Sequence, residues 1–362
     1  MNKIKRLFTL ILISVFTTTC FACSKSGSAV DFSFFNTAIH IETHDFSISK
    51  QTEGKLCELF SSLDSQFSCN DSQSFAYKIN NASANVPISL TEQQTEILSL
   101  AKEYHSFTDK KFSPTIFPLI KLWQFDQYPI ANFTPPSQNE ISALLGEKTN
   151  FDNVEIDFEN KTVQKLNNDI MLDFGGMLKG YAVDKACKIL LNDGHESGYI
   201  SIGGSSLCLL SVENLKINHP RASSELYTLL DVNCADLFNV AISTSGDYEK
   251  FYTIDGVNYS HIINPLTGYP TNTGVVSATI IGSNGAFGDA VTTAMCLMEH
   301  QSGSKNSELV SFVNKILTEY PDSLIFAVYY KEGEKEIITN AKQGERFTLL
   351  DNSFSINKIN IN

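Results

Sequence analysis

Three short segments of this chain combine side chains that bind anions, metal ions or protons. In the first, the pair Gly175-Gly176 is followed by Lys179 and by a predicted helix over residues 180–192. Glycine lets a backbone come close to a ligand, and the free amides at a helix start favour anions. Because a glycine pair before a helix is often only a tight turn, this segment alone indicates a phosphate site weakly.

The second segment places small hydroxyl side chains and a carboxylate before a histidine. Residues 243–248 read Ser-Thr-Ser-Gly-Asp-Tyr, and His261 opens a further polar stretch over 261–270. The hydroxyls beside Asp247 could hydrogen-bond phosphate or ribose oxygens, and His261 could transfer a proton near neutral pH. A polar turn followed by a hairpin, with a hydrogen-bonded and half-buried histidine, is the alternative interpretation.

The third segment contains a carboxylate and a hydroxyl at helical spacing. Asp289 and Thr293 are four residues apart, so on a helix they lie on one face, one turn apart. Carboxylate and hydroxyl oxygens are ligands that suit Mg²⁺. Asp289 could equally be the N-cap of a helix predicted over 290–300.

The composition is that of a globular protein with a strongly acidic balance. Of the 362 residues, 42% are hydrophobic and 19% are charged, and the net charge at pH 7 is −13. Nucleic-acid binding needs clustered Lys and Arg, so we exclude nucleic acid as a partner. A phosphorylated ligand would need local compensation by a helix N-terminus, a few basic side chains or a metal ion.

The first 22 residues are typical of a bacterial lipoprotein signal peptide. A basic start precedes an apolar stretch over 7–16, which is too short to span a bilayer of about 30 Å. The cysteine that follows such a stretch is acylated, and Cys23 fits better than Cys20 because Ala22 precedes it. We therefore expect export, a lipid anchor in a membrane facing the periplasm, and a flexible tether over 23–33. An ordinary cleaved signal with two incidental cysteines is the alternative.

Six cysteines follow Cys23, and no two of them form a C-x-x-C pair. A zinc site is therefore not indicated. Cys57 and Cys69 are the only two that lie close enough in sequence to be worth testing as a disulfide, and free thiols are expected for most of the others.

The elements that must position these side chains mix helices and strands without a regular strand–helix–strand rhythm. Apolar spacing predicts helices over 52–63, 91–105, 137–145, 180–192, 290–300 and 307–320. It predicts strands over 36–48, 154–158, 162–165, 169–172 and 199–202, more strands up to 281, and a final hairpin over 324–330 and 335–339. This order favours an α+β fold with mixed or antiparallel sheets packed against helices. We expect one domain over 34–345 and a polar tail over 346–362.

Together the segments resemble the FAD:protein FMN transferases, the ApbE family. The chain carries four of that family's blocks in order: D-F-G-G-x-x-K-G-Y-A-V-D at 173–184, S-T-S-G-D-Y at 243–248, H-I-I-N-P-x-T-G-x-P at 261–270 and G-D-A-x-x-T-A at 288–294. The stretch 112–125 resembles a fifth block, F-x-P-T…P-L…L-W-x-F. The resemblance extends over most of residues 34–339 and implies an ApbE-like fold.

The resemblance also implies a set of site residues. A magnesium ion would be held by Asp289, Thr293 and the backbone carbonyl of Leu178, where the family usually has a smaller residue. His261 is the candidate catalytic group, and Asp247 is an alternative base. FAD would be the substrate, and its implied contacts are Phe35, Asn70, Trp123, Gln124, Phe125, Gly175, Tyr181, Ile263 and Thr292. A position in the hydrophobic core is the alternative for Trp123, the only tryptophan.

The implied reaction cleaves the pyrophosphate of FAD and attaches FMN through a phosphoester to a threonine of an exported acceptor flavoprotein. Mg²⁺ would neutralise the charge that builds up during the transfer. Asn70 stands where the family usually has an aromatic residue that could stack on the cofactor. Hydrolysis of FAD to FMN and AMP on the same Mg²⁺-dependent site is therefore a second hypothesis. A lipoprotein that binds flavin without catalysis is a third, and the intact pair of Asp289 and Thr293 argues against it.

Overall fold

The computed structural model describes residues 27–222, 227–282 and 284–359. Its strands are β1 (Ser28–Phe34), β2 (Thr37–Thr43), β3 (Ile88–Ser89), β4 (Val154–Asp157), β5 (Thr162–Lys165), β6 (Gly198–Ile202), β7 (Ser206–Ser211), β8 (Asn214–Asn218), β9 (Thr228–Asn233), β10 (Val240–Gly246), β11 (Phe251–Ile254), β12 (Val257–Ser260), β13 (Val275–Ile281), β14 (Leu324–Lys331), β15 (Glu334–Thr339), β16 (Phe347–Leu349) and β17 (Ser355–Lys358). Nine of them form one sheet in the order β1-β2-β6-β7-β10-β13-β14-β15-β17. Its neighbouring strands are antiparallel except for the parallel pair β15 and β17.

The helices are α1 (Lys50–Phe67), α2 (Phe75–Asn81), α3 (Glu92–Phe107), α4 (Phe117–Leu122), α5 (Gln138–Ser142), α6 (Gly175–Asn192), α7 (Gly285–Met295) and α8 (Glu308–Glu319). Six of these eight described helices begin where a small polar side chain caps the first turn, and α4 and α6 begin without such a cap. At α5, Ser137 and Glu140 form the capping box that the sequence predicts. None of the described helices combines the length and the hydropathy needed to cross a bilayer.

The large sheet is buried on both faces because its central strands send alternate side chains to two hydrophobic clusters. Along β14, Ile325 and Ala327 pack with α1, α3, α6, α7 and α8, whereas Phe326 and Val328 face a second cluster. That second cluster is covered by a small sheet of order β16-β9-β8. A third cluster joins the region of α4 and α5 to the hairpin of β11 and β12. The fold is α+β, as the sequence predicts.

Several predicted boundaries are wrong in ways that matter for the site. Helix α6 begins at Gly175, so the glycine pair belongs to the first turn of the helix and not to a turn before it. Helix α7 begins at Gly285 with Asn284 as its N-cap, which places Asp289 in the second turn and excludes it as the cap. Residues 169–172 are not a strand. A disulfide joins Cys187 to Cys208, whereas Cys57 and Cys69 are free.

The two ends of the predicted domain also need correction. Strand β1 occupies residues that the sequence assigns to a flexible tether, and it pairs with β2 along its whole length. Strands β16 and β17 lie in the predicted polar tail and pair with β9 and β15. The signal peptide and both candidate lipidation cysteines, Cys20 and Cys23, lie outside the described residues.

Helices α6 and α7 touch through two glycines. A Cβ atom added to Gly180 would lie 2.0 Å from the carbonyl oxygen of Gly285. At the same crossing, the carboxylate of Asp184 accepts the amides of Gly285 at 2.7 Å and of Ala286 at 3.1 Å. Burial raises the pKa of Asp184 to about 6. One helix therefore caps the start of the other, and only glycine fits between them.

We expect Gly180→Ala to lower the free energy of unfolding by about 1–3 kcal/mol or more, because the added methyl group overlaps a backbone carbonyl. Gly54 in α1 is exposed with no atom within 4 Å of its added Cβ, and it is the matched control. Gly54→Ala should raise the free energy of unfolding by roughly 0.5–1 kcal/mol. Urea unfolding followed by circular dichroism measures both, and equal effects would contradict the packing described.

Candidate functional site

The Asp289 carboxylate lies between the crossing helices and the large sheet. Its Oδ2 accepts the backbone N–H of Gly180 at 2.7 Å, and its Oδ1 accepts the hydroxyl of Ser206 at 2.8 Å. The side chain is buried. Burial raises the pKa of Asp289, and the charge of Lys179 opposes this rise. The carboxylate is thus a buried acid whose ionised form needs positive charge nearby.

A cluster of hydroxyl side chains, which we call the hydroxyl cluster, adjoins this carboxylate. Thr293 donates a hydrogen bond to the Asp289 carbonyl oxygen at 2.9 Å, and the hydroxyl of Ser245 lies 3.2 Å from that of Thr293. Its members come from β7, β10 and α7; they are Ser206, Ser243, Ser245, Thr292 and Thr293. Gly288 permits this approach, because a Cβ atom there would lie 2.6 Å from the hydroxyl oxygen of Ser243.

These oxygen atoms suit a hard divalent cation. Among the described residues, no group of three His, Cys, Asp or Glu side chains is arranged to hold a metal ion. A metal site here would therefore combine the Asp289 carboxylate with the Thr293 hydroxyl and backbone carbonyls, which is a donor set typical of Mg²⁺. Leu178 lies in the first turn of α6, two residues before the amide that binds Asp289. A bound cation would favour the ionised form of this buried carboxyl.

The His261 ring is held by the backbone at the start of β11. Its Nδ1 lies 3.2 Å from the Lys250 carbonyl oxygen, which also accepts the His261 backbone N–H at 2.9 Å. With Nδ1 donating to that carbonyl, Nε2 keeps its lone pair. Burial lowers the pKa of His261 to about 4, and the charges of Lys250 and Lys179 add to this effect. The imidazole is therefore neutral at pH 7 and can accept a proton.

Two lysines lie within electrostatic reach of side chains from the segments identified in the sequence. Lys179 donates a hydrogen bond to the Ser205 hydroxyl at 2.7 Å, and its charge lowers the pKa of both Asp289 and His261. The charge of Lys250 lowers the pKa of His261 and also that of Asp173, which burial raises. Asp289 and His261 thus lie within electrostatic reach of the same ammonium group, although 28 residues separate them in the sequence.

Asp247, the alternative base, is held in an ion pair. Both of its oxygens accept hydrogen bonds from the Arg221 guanidinium, at 2.7 and 2.8 Å. This bidentate geometry directs the Asp247 carboxylate toward Arg221. The sequence contains no signal for the pair, because Arg221 lies 26 positions away in the connection between β8 and β9.

Trp123 is a core residue that supports the loop carrying His261. Its side chain is 1% exposed, and its Nε1–H donates to the Gly268 carbonyl at 2.8 Å. Its ring packs 5.5 Å from that of Tyr259. The ring of Phe125 lies 6.3 Å from the His261 ring. Gln124 between them has a φ of 59°, and its buried Oε1 has no hydrogen-bond partner among the described residues.

The other predicted flavin contacts occupy different surroundings. Gly175 donates its N–H to Asp173 at 2.6 Å, and Thr292 belongs to the hydroxyl cluster. Tyr181 points away from it, since its hydroxyl donates to Glu96 on α3 at 2.7 Å. Its role as a flavin contact stays a prediction.

Three further predicted contacts differ in their burial. Ile263 is buried in the cluster that contains Trp123. Phe35 is half-buried in the turn between β1 and β2, and Asn70 is exposed. The neighbour of Asn70, Cys69, donates its thiol to the Leu172 carbonyl at 3.3 Å, directly before Asp173.

Comparison with known proteins shows the family to which this chain belongs. Residues 35–311 match the model of the ApbE family. The chain belongs to the ApbE family. The FAD:protein FMN transferase of Chlamydia muridarum is 30% identical to it over 264 residues, which is 70% of this chain and 78% of the relative. The FAD:protein FMN transferase of Chlamydia trachomatis is 26% identical over 323 residues, 87% of this chain and 96% of the relative.

Solved ApbE structures share the fold. The ApbE protein of Thermotoga maritima superimposes with a TM-score of 0.72 at 27% identity, and the match covers 84% of this chain and 94% of that one. The flavin transferase ApbE of Vibrio cholerae gives a TM-score of 0.71 at 22% identity, covering 85% and 94%. The ApbE-like α+β fold expected from the sequence is confirmed.

We expect the His261 ring to titrate near pH 4 in the folded ApbE chain, well below the ordinary histidine value of about 6.5. The unfolded chain binds this proton first, so the contribution of His261 to stability is lost as pH falls from about 6.5 to about 4. An NMR titration measures the pKa directly. Lys250→Gln should raise it, whereas Lys50→Gln, at a lysine whose side chain is 93% exposed, should leave it unchanged.

Proposed function

We propose that this ApbE-family protein is a Mg²⁺-dependent transferase that moves FMN from FAD to a threonine of an exported acceptor protein. The observation that carries the proposal is the buried Asp289 carboxylate, set among the hydroxyl cluster and sharing the charge of Lys179 with a neutral His261. The names of the relatives support the same reaction. The pair of Asp289 and Thr293 argues against a passive flavin carrier, which needs no metal ligands.

The chemistry follows from the protonation states of the side chains. The threonine oxygen attacks the phosphorus of the FMN half, the bond from that phosphorus to the bridging oxygen breaks, and AMP leaves. Because His261 is neutral, its Nε2 can take the proton that the threonine hydroxyl loses. Asp289, Thr293 and the Leu178 carbonyl would hold Mg²⁺, which when bound supplies positive charge for the diphosphate.

The local charge differs in sign from that of the chain as a whole. The net charge of −13 opposes the approach of a diphosphate. Lys179 and Lys250 both act on His261, and Arg221 neutralises Asp247 close to the hydroxyl cluster. These basic side chains and a metal ion would together reverse the local field, so that an anionic substrate can enter.

We expect co-expression of the wild-type protein with exported proteins of its own organism to yield an FMN adduct on threonine, detected by mass spectrometry. Asp289→Asn should abolish the adduct. It should also abolish a rise of a few degrees in Tm on addition of MgCl₂, because a ligand at one hundred times its Kd stabilises by about 2.7 kcal/mol. The asparagine keeps an oxygen that can accept the Gly180 N–H, and burial already opposes ionisation of Asp289. Loss of the negative charge should therefore not weaken the metal-free fold.

Asp236→Asn is the matched control for that variant. Asp236 is an exposed carboxylate paired with Arg346 outside the site. It should keep both the adduct and the Mg²⁺-dependent rise in Tm. An Asp289→Asn protein that still gains stability from MgCl₂ would contradict the assignment of the metal ligand, whatever its activity.

Hydrolysis of FAD is a second candidate, and the exposed position of Asn70 favours it. Asn70 leaves room for water beside residues 172–175, where an aromatic side chain would cover bound flavin. Without acceptor, we expect the wild type to release AMP from FAD in the presence of Mg²⁺. Asn70→Tyr should slow this release several-fold, whereas Asn81→Tyr, at an exposed position on α2, should not. Faster release by Asn70→Tyr would contradict the hypothesis.

Export and lipid anchoring are part of the proposal and rest on the sequence of the first 23 residues. The first described strand begins at Ser28, so only four residues, 24–27, separate it from Cys23. Cys23 is the preferred acylation site and Cys20 the alternative. The mass of the mature N-terminal peptide, isolated from membranes, distinguishes acylated Cys23, acylated Cys20 and an unmodified terminus.

A further inference from the structure

The hairpin of β11 and β12 stands apart from the large sheet and forms a two-stranded sheet of its own. Its turn, Asp255-Gly256, has φ values of 50° and 80°. Two consecutive positive φ angles are typical of a type I′ turn, which fixes the register of a two-residue hairpin. Phe251 pairs with Ser260 and Thr253 with Asn258.

This register determines which backbone groups of the hairpin are free. Backbone bonds alternate along an antiparallel pair, and the His261 N–H already donates to the Lys250 carbonyl. The bonded pairs are therefore Tyr252 with Tyr259 and Ile254 with Val257. The N–H and C=O groups of Phe251 and Thr253 point away from β12, and no backbone group in the described part of the chain bonds to them.

The free edge of β11 borders a groove. A cavity of about 520 Å³ separates residues 252–254 from the irregular segment 130–134. Its floor is ordered by aromatic packing, because the ring of Phe133 stacks on that of Tyr252 at 3.9 Å. Phe251, whose side chain is exposed, precedes the strand residues that line the groove. The groove thus offers unpaired backbone groups of β11 along one wall.

The groove leads to the candidate catalytic histidine. Thr253 is three residues from Lys250, whose carbonyl binds the His261 ring, a distance of about 10 Å along a strand. Phe125 links the two places, since its ring lies 5.2 Å from that of Tyr252 and 6.3 Å from that of His261. The His261 ring lies on the β12 side of β11, so a chain paired with the free edge would pass it at about two strand spacings, roughly 10 Å.

We propose that this groove binds the acceptor protein, which adds an extended segment to the free edge of β11 as a third strand. The proposal rests on the transferase function, because only a protein substrate has a continuous backbone to pair with the edge. Main-chain hydrogen bonds supply affinity, and alternate side chains supply specificity. A segment that pairs with Phe251 and Thr253 can continue past Lys250, where a threonine beyond the paired residues would approach His261.

Proline substitution separates the two edges of the hairpin. Thr253→Pro removes an outward N–H from the β11 edge, and Asn258→Pro removes the outward N–H of the directly opposite residue on the β12 edge. Both positions are exposed, and proline is tolerated where a strand N–H faces outward. With the acceptor identified by its FMN adduct, Thr253→Pro should raise KM for the acceptor roughly three- to tenfold, the loss expected for one or more hydrogen bonds. It should not raise KM for FAD. Asn258→Pro should change neither.

Hydrogen exchange of the wild-type protein is the second measurement, and it does not depend on the folding of a variant. Addition of the acceptor should protect the amides of Phe251 and Thr253 but not those of Asn258 and Ser260. Equal KM values in the two variants, or protection of the β12 edge alone, would overturn the groove while leaving the transferase function intact. If the wild type transfers no FMN to any protein, both proposals fall.

Discussion

The hydrogen bond from the Gly180 amide to the Asp289 carboxylate fixes the geometry on which the candidate site depends. It can form only because α6 and α7 touch through Gly180 and Gly285, where any side chain would overlap a carbonyl group. The same crossing lets Asp184 cap the start of α7. The helix that carries Asp289 is thus held at its first turn and at its second turn by the same neighbour. The Asp289 carboxyl group is therefore buried and held in position by these contacts.

The electrostatics of the site follow from that burial. Burial raises the pKa of Asp289 and lowers the pKa of His261, so each group is neutral over a wider pH range than it is in water. Lys179 stabilises the ionised carboxylate and disfavours the protonated imidazole. One ammonium group therefore favours the two protonation states that metal binding and proton acceptance require. In so acidic a chain, this local arrangement matters more than the net charge.

The sequence predicts the parts of this structure that depend on local periodicity. The helical spacing of Asp289 and Thr293, the capping box at Ser137 and the α+β order of elements are all readable from neighbouring residues. The start of α6 is not, because Phe174 at its N-cap makes no side-chain cap and leaves no local signal. The alternation of Val30, Phe32 and Phe34 indicates a strand at β1, whereas the polar residues upstream of it favour a tether.

Contacts between distant segments are the part that the sequence alone does not determine. The pairing of Arg221 with Asp247 and the burial of Trp123 against Gly268 depend on tertiary packing. Sequence spacing cannot distinguish a tryptophan that stacks on a ligand from one that supports a loop. The role of Ser206 is similar, since a serine at the start of a buried strand has no distinguishing pattern before Asp289 is placed beside it.

Strand β1 also sets the direction in which the site faces. It starts at Ser28 and ends at the turn of Phe35 and Asn36. That turn lies at the end of the sheet where Gly203 bonds to Ala38 and where Ser205 binds Lys179. Seven extended residues span about 23 Å. A surface that holds the chain just upstream of Ser28 would therefore contact the opposite pole of the domain. The candidate site would then face away from that surface. A partner that extends above the surface could reach the site, whereas a group lying flat against the surface could not.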